Sequence, residues 1–599
     1  MAFGSGPANG SKERSVDGIG ITIYGGRMKT ILILLMMMAG IVAFSAAIDL
    51  TTIAEQSNWI KTGRADETER LCKGFAKKFP KRVQCQSYGK TPEGRTMWYM
   101  HIHDEKVIAN APTVWLQAGI HAGEIDGKDA VFLMMRNVLE KKLTPDPFKG
   151  LKVVFIPIVN LDGHERFGKW NRPNQIGPEE MGWRVTAQNY NMNRDFVKSE
   201  ASEMRDLNKL WNQQDPIVSL DLHVTDGAHF QPEVGIITTP TDHQGSGPMH
   251  KAGKEYETQL MEKMKARGRL ALPFYPSFEK EDKPTSGFSR GVAPPRFANG
   301  YWFVRNRIGV LVESHSWKDY ATRVKVHYDT VISTLEIVQQ KGAEWTKQAH
   351  ELDKVSIAGK KIDVSFKHTP KSTMIDFGGY KYTITKSKIS GADVIRYEPD
   401  KPETWKVPFY EEVQPTVSVT AAEHGYFIPA SELDAIKTKF DVHGVKYQEW
   451  KKPLPEKVKV FRATKAQQAA SSFEGRQTLT VDGEWKEEKL ELPKNLFFVP
   501  IDQRNAMMVV HLLEPLAPDS LLYWGFFNRF FEQKEYMEDY VAEDVAKKML
   551  ESDKQIAADF QEKLKDEAFA KDATKRFRYF YQKHSSWDDH YNRYPIFKR

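Results

Sequence analysis

The chain is poor in cysteine, in long apolar runs and in net charge. Its 599 residues include two cysteines, Cys72 and Cys85, so at most one internal disulfide can form. Such a bond would have a structural role and no part in catalysis. The apolar stretch 31–44 is shorter than the roughly 20 residues that a membrane-spanning helix needs. The 86 Lys and Arg residues nearly balance the 79 Asp and Glu residues, and the net charge of +7 is too small to indicate a nucleic-acid partner.

Residues 28–47 have the composition of a signal peptide. The segment begins Met-Lys-Thr, continues through an apolar core and ends in small residues, Ser-Ala-Ala. We predict cleavage after Ala47 and an exported protein, secreted or periplasmic, with residues 1–27 as an upstream extension. The residue directly after the cleavage site is not a cysteine, so lipid attachment is not indicated there. A retained membrane anchor is the alternative for this segment.

Four apolar runs each lead into a polar residue suited to metal-assisted hydrolysis. They cover residues 113–118, 151–159, 217–222 and 308–312, and their Val, Ile and Leu content is typical of strands buried on both faces of an α/β sheet. Ligands of such sheets lie beyond the carboxyl ends of the strands. We therefore predict a mixed, largely parallel twisted sheet flanked by helices, with one site at the ends of its strands.

His121, Glu124 and His223 follow the first and third of these runs. Zinc binds imidazole nitrogen and carboxylate oxygen, and a catalytic zinc has three protein ligands and an open position for water. The two-residue gap between His121 and Glu124 lets both side chains reach one ion from a tight turn or a first helical turn. An isolated H-x-x-E pair is weak evidence. This pair follows a predicted strand, and His223 follows another one. Together they predict one Zn²⁺ in the catalytic domain.

Other motifs extend this pattern across the same part of the chain. They are Trp183-Arg184, Asn193-Arg194-Asp195-Phe196, Asp221-Leu222-His223 and Glu313. Taken together with the H-x-x-E pair, they closely resemble the zinc metallocarboxypeptidase family of carboxypeptidase A-like peptidases. The resemblance covers roughly residues 55–345. It implies that the zinc ligands are His121, Glu124 and His223.

The resemblance also implies catalytic and substrate-binding residues. Glu313 would be the general base and acid, which takes a proton from a zinc-activated water and passes it to the leaving amine. Arg184 would polarise the scissile carbonyl and stabilise the oxyanion. Asn193 and Arg194 would bind the terminal carboxylate of the substrate. The planar guanidinium suits bidentate binding of a carboxylate, which favours an exopeptidase.

Two positions depart from the family pattern. The family has a carboxylate beside the first zinc-binding histidine, two positions before Asn193, where this chain has Asn191. An amide raises the basicity of the ligand less than a carboxylate does. The family also places a mobile Tyr over the substrate, but the stretch 287–295 contains none, and Tyr301 is too close to Glu313. The preferred C-terminal residue therefore cannot be read from the sequence.

The length of the chain indicates more than one domain, because a single core rarely exceeds roughly 250–300 residues. We expect a catalytic domain at 50–349, a β-rich accessory region at 355–513 and a helical, aromatic-rich C-terminal segment at 514–599. The aromatic side chains of the last segment are expected to pack against the body of the protein rather than to stack on bases.

The predicted function is that of an exported zinc metallocarboxypeptidase. Its substrates would be peptides with a free C-terminal carboxylate, with no nucleic-acid partner and no stable membrane span after signal cleavage. One alternative is a zinc amidase of the same fold that acts on cell-wall (murein) peptides, which also end in carboxylates. Another is a non-catalytic zinc- or peptide-binding protein, against which the presence of a candidate general base argues.

Overall fold

The computed structural model describes residues 48–106 and 110–599. The predicted signal peptide and upstream extension, residues 1–47, lie outside this part of the chain. Residues 50–599 form one compact unit. Among the described residues, no helix combines the length and the apolar character that a membrane crossing requires.

The first half of the unit is built on an eight-stranded mixed sheet. Its strands, together with the short strand β8 of another sheet, are β1 (Val83–Lys90), β2 (Thr96–His103), β3 (Thr113–Ala118), β4 (Lys152–Ile156), β5 (Val218–Val224), β6 (Val234–Thr239), β7 (Ala271–Leu272), β8 (Phe288–Ser289) and β9 (Ile308–Ser314). The order across the sheet is β1-β2-β4-β3-β5-β9-β6-β7. The four central strands run parallel, and antiparallel pairs flank them. The predicted fold class is confirmed.

The central strands follow the predicted apolar runs. Every residue of β3 and β5 is buried, as expected for strands covered on both faces. β4 is shorter than predicted, because Pro157 follows it and has no N–H to donate to the ladder. β5 and β9 are longer than predicted, so that His223 and Glu313 lie inside the strands rather than after them.

Helices cover both faces of this sheet. They are α1 (Ile53–Gln56), α2 (Ala65–Lys78), α3 (Asp126–Leu139), α4 (Leu161–Glu165), α5 (Ser202–Gln214), α6 (Pro248–Ala266), α7 (Ala298–Phe303) and α8 (Tyr320–Leu352). The Asp319 side chain accepts a hydrogen bond from Thr322 N and caps α8. Cys72 of α2 and Cys85 of β1 form a disulfide with their Cα atoms 5.4 Å apart, within the range that disulfide geometry allows.

The rest of the chain adds three smaller sheets and further helices. The elements are β10 (Lys361–His368), β11 (Thr373–Lys386), β12 (Asp393–Tyr410), β13 (Val413–Thr420), β14 (Gly425–Pro429), α9 (Ala430–His443), β15 (Gln448–Glu449), β16 (Val458–Gln468), β17 (Leu479–Glu488), β18 (Leu496–Pro500), α10 (Ala506–Leu513), α11 (Asp539–Ser552), α12 (Lys554–Lys563), α13 (Glu567–Ala570), α14 (Ala573–Tyr581) and β19 (Arg593–Lys598). A β-rich region and C-terminal helices are therefore present, as predicted.

The C-terminal segment also contributes a strand, which the helical pattern does not predict. β19 lies between β14 and β16 in a six-stranded sheet of order β15-β18-β14-β19-β16-β17, and all its residues are buried. A six-residue run is too short for its periodicity to separate strand from helix. The aromatic residues Trp524, Phe527 and Tyr594 are completely buried, which confirms that they pack against the body of the protein.

A long hairpin of β11 and β12 connects the accessory region to the half of the unit that contains the eight-stranded sheet. The end of β12 pairs in parallel with β8. Beside this pairing, Phe377 packs against Phe230 and Phe288, with ring centroids 5.6 and 4.4 Å away. The hairpin is thus attached both by backbone pairing and by an aromatic cluster.

Candidate active site

The turn after β3 brings His121 and Glu124 onto one side of the sheet. Gly119 has φ of +64°, a left-handed conformation that glycine adopts at no steric cost. Glu124 N then donates to His121 O at 2.9 Å. Because α3 starts directly after this tight turn, both side chains face the carboxyl ends of β3 and β5.

His121, Glu124 and His223 form a buried group whose donor atoms all lie within 4.8 Å of one another. His121 Nδ1 is 3.0 Å from Glu124 Oε1, and His223 Nδ1 is 2.8 Å from Glu124 Oε2. The structure thus brings together the three residues that the sequence predicts. Two imidazoles and one carboxylate are a donor set that fits zinc.

The second nitrogen of each imidazole lies near an oxygen atom, by a hydrogen bond at His121 and by an ion-pair contact at His223. His121 Nε2 is 3.2 Å from Asn191 Oδ1, and His223 Nε2 is 2.8 Å from Asp221 Oδ2. These oxygens only accept, so a metal bound at the two Nδ1 atoms would leave the proton of each imidazole on Nε2. Asn191 thus lies beside the first zinc-binding histidine, at the position where the family has a carboxylate. The role of Asp221 was missed, although two residues apart on one strand share a face.

Charge at the two histidines differs. Burial lowers the pKa of His121 to about 4, despite the neighbouring Glu124. Burial also opposes charge on His223, but Asp221 and Glu124 together raise its pKa well above the usual range. The carboxylate of Asp221 thus lies beside His223, whereas the amide of Asn191 lies beside His121. Asn191 Nδ2 in turn donates at 3.5 Å to Glu474 Oε1 of the accessory region.

Glu313 lies opposite His223 in the parallel register of β5 and β9. It is 7 % exposed and lines the same cleft as His121 and Glu124. Its Oε2 is buried without a hydrogen-bond partner among the described residues. Burial raises the pKa of Glu313 to about 8, with a contribution from the nearby Glu124. A carboxyl group in this environment exchanges a proton near neutral pH.

Two arginines contact the carboxylate of Glu124, and a third lines the same cleft. Arg184 Nη1 is 3.3 Å from Glu124 Oε1, and its side chain is 40 % exposed to the cleft. Arg194 lines the cleft with its guanidinium 4.3 Å from the ring centroid of Phe297. Arg172, which sequence reasoning missed, donates to Glu124 Oε1 at 2.6 Å. No sequence signal singles it out, because it lies in an irregular loop.

The cleft has a volume of about 510 Å³ and is lined by more positive than negative groups. Besides Arg172, Arg184 and Arg194, Arg290 contributes a buried guanidinium, which is 2.9 Å from Glu257. The carboxylates in the lining are Glu124, Asp226 and Glu313. Asn193 is also in the wall. Four guanidinium groups against three carboxylates favour an anionic ligand group.

Tyr275 is the tyrosine that lines this cleft. Tyr301, the nearest candidate in the sequence, is completely buried, and its hydroxyl bonds to His443 Nδ1 at 3.0 Å. It therefore cannot cover a substrate. Tyr275 is 37 % exposed and lies in the segment between β7 and β8, where no periodic pattern marks it.

Comparison with known proteins identifies similar sequences and structures. A family model for zinc carboxypeptidases matches residues 68–268. Carboxypeptidase 2 of Trichophyton tonsurans is 21% identical over 499 residues, covering 77% of this chain and 83% of that protein. Carboxypeptidase 2 of Trichophyton rubrum is 22% identical over 500 residues, with the same coverage. The solved carboxypeptidase A of Helicoverpa armigera shares 15% identity at a TM-score of 0.35, covering 54% of this chain and 82% of that one.

Proposed function

The chain carries a domain of the zinc carboxypeptidase family, and on that premise we propose that it is an exported zinc metallocarboxypeptidase that removes residues from the C-terminal ends of peptides. One observation supports this most directly. His121, Glu124, His223 and Glu313 meet in one cleft that is lined by an excess of guanidinium groups.

His121, Glu124 and His223 are the proposed ligands of one Zn²⁺. Their Nδ1 and carboxylate oxygen atoms point at one another, and partners on the far side of each imidazole fix the rings. Zinc bound there would supply Lewis acidity toward the scissile carbonyl and lower the pKa of a water molecule.

Glu313 is the proposed general base and acid. Because its Oε2 has no hydrogen-bond partner in the described protein, it is free to accept a proton from the attacking water. The same carboxyl would return the proton to the nitrogen of the leaving amine. Burial keeps the pKa of Glu313 raised, and a neighbouring cation would lower it again.

Arg184, Asn193 and Arg194 are the proposed substrate-binding groups. Arg184 is in reach of both Glu124 and the open cleft, so it would stabilise the oxyanion of the tetrahedral intermediate. Asn193 and Arg194 would bind the terminal carboxylate, with which a guanidinium forms two parallel hydrogen bonds. Recognition of a terminal carboxylate makes the proposed enzyme an exopeptidase.

Export is the second part of the proposal. The signal-peptide composition of residues 28–47 supports it, and so does the disulfide between Cys72 and Cys85, since such bonds persist in oxidising compartments. The proposed location is secreted or periplasmic. Mass spectrometry of the protein recovered outside the cytoplasm would test it, with a mature N-terminus at residue 48 as the expected result.

The proposed activity is tested with zinc-loaded protein and a mixed peptide pool that includes cell-wall stem peptides, with and without a chelator. We expect chelator-sensitive ladders of C-terminally shortened peptides. Glu313→Gln should keep stoichiometric zinc but lose activity by about 100- to 10,000-fold, the usual contribution of a general acid–base group. The matched control Glu69→Gln, on the exposed surface of α2, should retain full activity. Undiminished activity of Glu313→Gln would contradict the mechanism, and cleavage confined to stem peptides would instead indicate an amidase.

A further inference from the structure

A second cavity adjoins the catalytic cleft. It has a volume of about 750 Å³, larger than the cleft itself. Asp226 and Tyr275 belong to the walls of both cavities. The two cavities therefore meet at these two residues.

The walls of the second cavity come from two parts of the chain that are far apart in sequence. The catalytic half supplies one wall, which includes His229 and Trp317. The hairpin of β11 and β12 supplies another part of the wall through Ile395 and Tyr397, both half-buried. We call this space the hairpin groove. Without the hairpin, the cavity would be an open surface beside the cleft.

The hairpin is held firmly in place against the catalytic loops. Gln231 N donates to Gly378 O at 2.9 Å, and Gln231 Nε2 donates to Gly379 O at 2.7 Å. Gly287, next to β8, has φ of +74°, and a Cβ atom there would lie 1.8 Å from Pro408 O of β12. This close approach fixes β12 against the loop that lines the cleft. The groove is therefore a built feature of the fold and not a gap between mobile parts.

The position of the groove determines which part of a substrate could occupy it. Asn193, Arg194 and Arg290 line the cleft but not the groove. A peptide whose terminal carboxylate is bound by Arg194 must leave the cleft elsewhere, and the boundary at Asp226 and Tyr275 leads toward the groove. An extended peptide advances about 3.3–3.6 Å per residue, so several residues before the scissile bond would lie in the groove.

We propose that the hairpin groove binds the residues of an extended peptide that precede the scissile bond. This inference rests on the proposed carboxypeptidase function and assigns a role to the accessory hairpin. The aromatic rings of Trp317 and Tyr397 supply apolar contact area for the peptide, with little loss of side-chain entropy on binding. The preferred substrates are therefore flexible peptides of several residues rather than dipeptides.

The test uses two substrates with the same C-terminal dipeptide, an N-acylated dipeptide and a hexapeptide. Ile395→Trp adds bulk to the wall of the groove, and Ile389→Trp adds the same bulk at the fully exposed hairpin turn as a matched control. We expect Ile395→Trp to lower kcat/KM for the hexapeptide by about tenfold or more and to leave that for the dipeptide within about twofold. Ile389→Trp should change neither value.

Tyr397→Ala provides a second variant that removes contacts instead of blocking the groove. It should raise KM for the hexapeptide several-fold while kcat for the dipeptide is unchanged, because Tyr397 lines the groove and not the catalytic cleft. Equal losses on both substrates in folded variants, or no loss on either, would overturn the inference. If the wild-type protein hydrolyses the dipeptide and hexapeptide equally well, the groove does not bind peptide. If it hydrolyses neither, the proposed function itself fails, and this inference fails with it.

Discussion

Replacing Arg323 by Met should destabilise the protein by a large fraction of its total stability. Arg323 and Asp126 are both completely buried, with Nε 2.8 Å from Oδ2, and the pair joins α8 to α3. Arg323 also donates to the carbonyl oxygens of Ile176, Gly177 and Lys318 at 2.6 to 2.8 Å. Removing one partner of a buried ion pair costs about 3–5 kcal/mol, because the other charge stays buried without compensation. Total stabilities are about 5–15 kcal/mol.

Urea denaturation followed by circular dichroism measures this loss. Arg64→Met is the control, since Arg64 is 48 % exposed and its pair with Glu165 should contribute at most about 1 kcal/mol. Adding Asp126→Asn to Arg323→Met should recover part of the loss, because the uncompensated charge is then removed. A loss for Arg323→Met no larger than that of the control would refute the reasoning, as would no recovery in the double variant.

Two further predictions concern metal affinity and pH. Asp221→Asn removes the carboxylate beside His223 Nε2 and should weaken zinc binding by about 10- to 100-fold in a chelator competition. The control is Asp226→Asn, in the wall of the cleft. Equal zinc affinities of the two variants would contradict the proposed support of His223 by Asp221. Burial lowers the pKa of Lys439 to about 8, below its usual value of 10.5, so between these values the unfolded chain holds a proton that the folded protein has released. Stability therefore rises with pH in this window. Between pH 7 and 10 the free energy of unfolding of the wild type should increase by about 2–3 kcal/mol relative to that of Lys439→Met. If urea denaturation gives the same difference between the two proteins at both pH values, this role of Lys439 is excluded.

The catalytic half of the fold was predictable because its signals are local. A strand buried on both faces is a continuous apolar run, and residues 113–118 correspond to β3 without any shift. The accessory region shows weaker signals, since its strands alternate apolar and polar residues and pair over long distances. The six residues of β19 form a strand through contacts with β14 and β16, and these partners cannot be identified from the segment itself.

The site was predictable to the extent that its residues follow strands. His121, Glu124, His223 and Glu313 meet because β3, β5 and β9 are parallel neighbours, so their carboxyl ends lie at one edge. The residues that sequence reasoning missed come mainly from irregular loops, whose course depends on tertiary contacts. Arg172 and Tyr275 are of this kind, and only the folded chain shows that they line the cleft.

The place of β19 between β14 and β16 has a consequence for how the protein reaches its native state. The pairing of Tyr426 with Lys598 joins residues 172 positions apart (598 − 426). Contacts of such high sequence separation form slowly, because the loop-closure entropy must be overcome before the pairing contributes. Until β19 pairs with them, β14 and β16 each expose an unpaired strand edge, on which another chain can pair and aggregate. We therefore expect closure of this sheet to be a late and slow folding step, during which these two edges remain open to other chains.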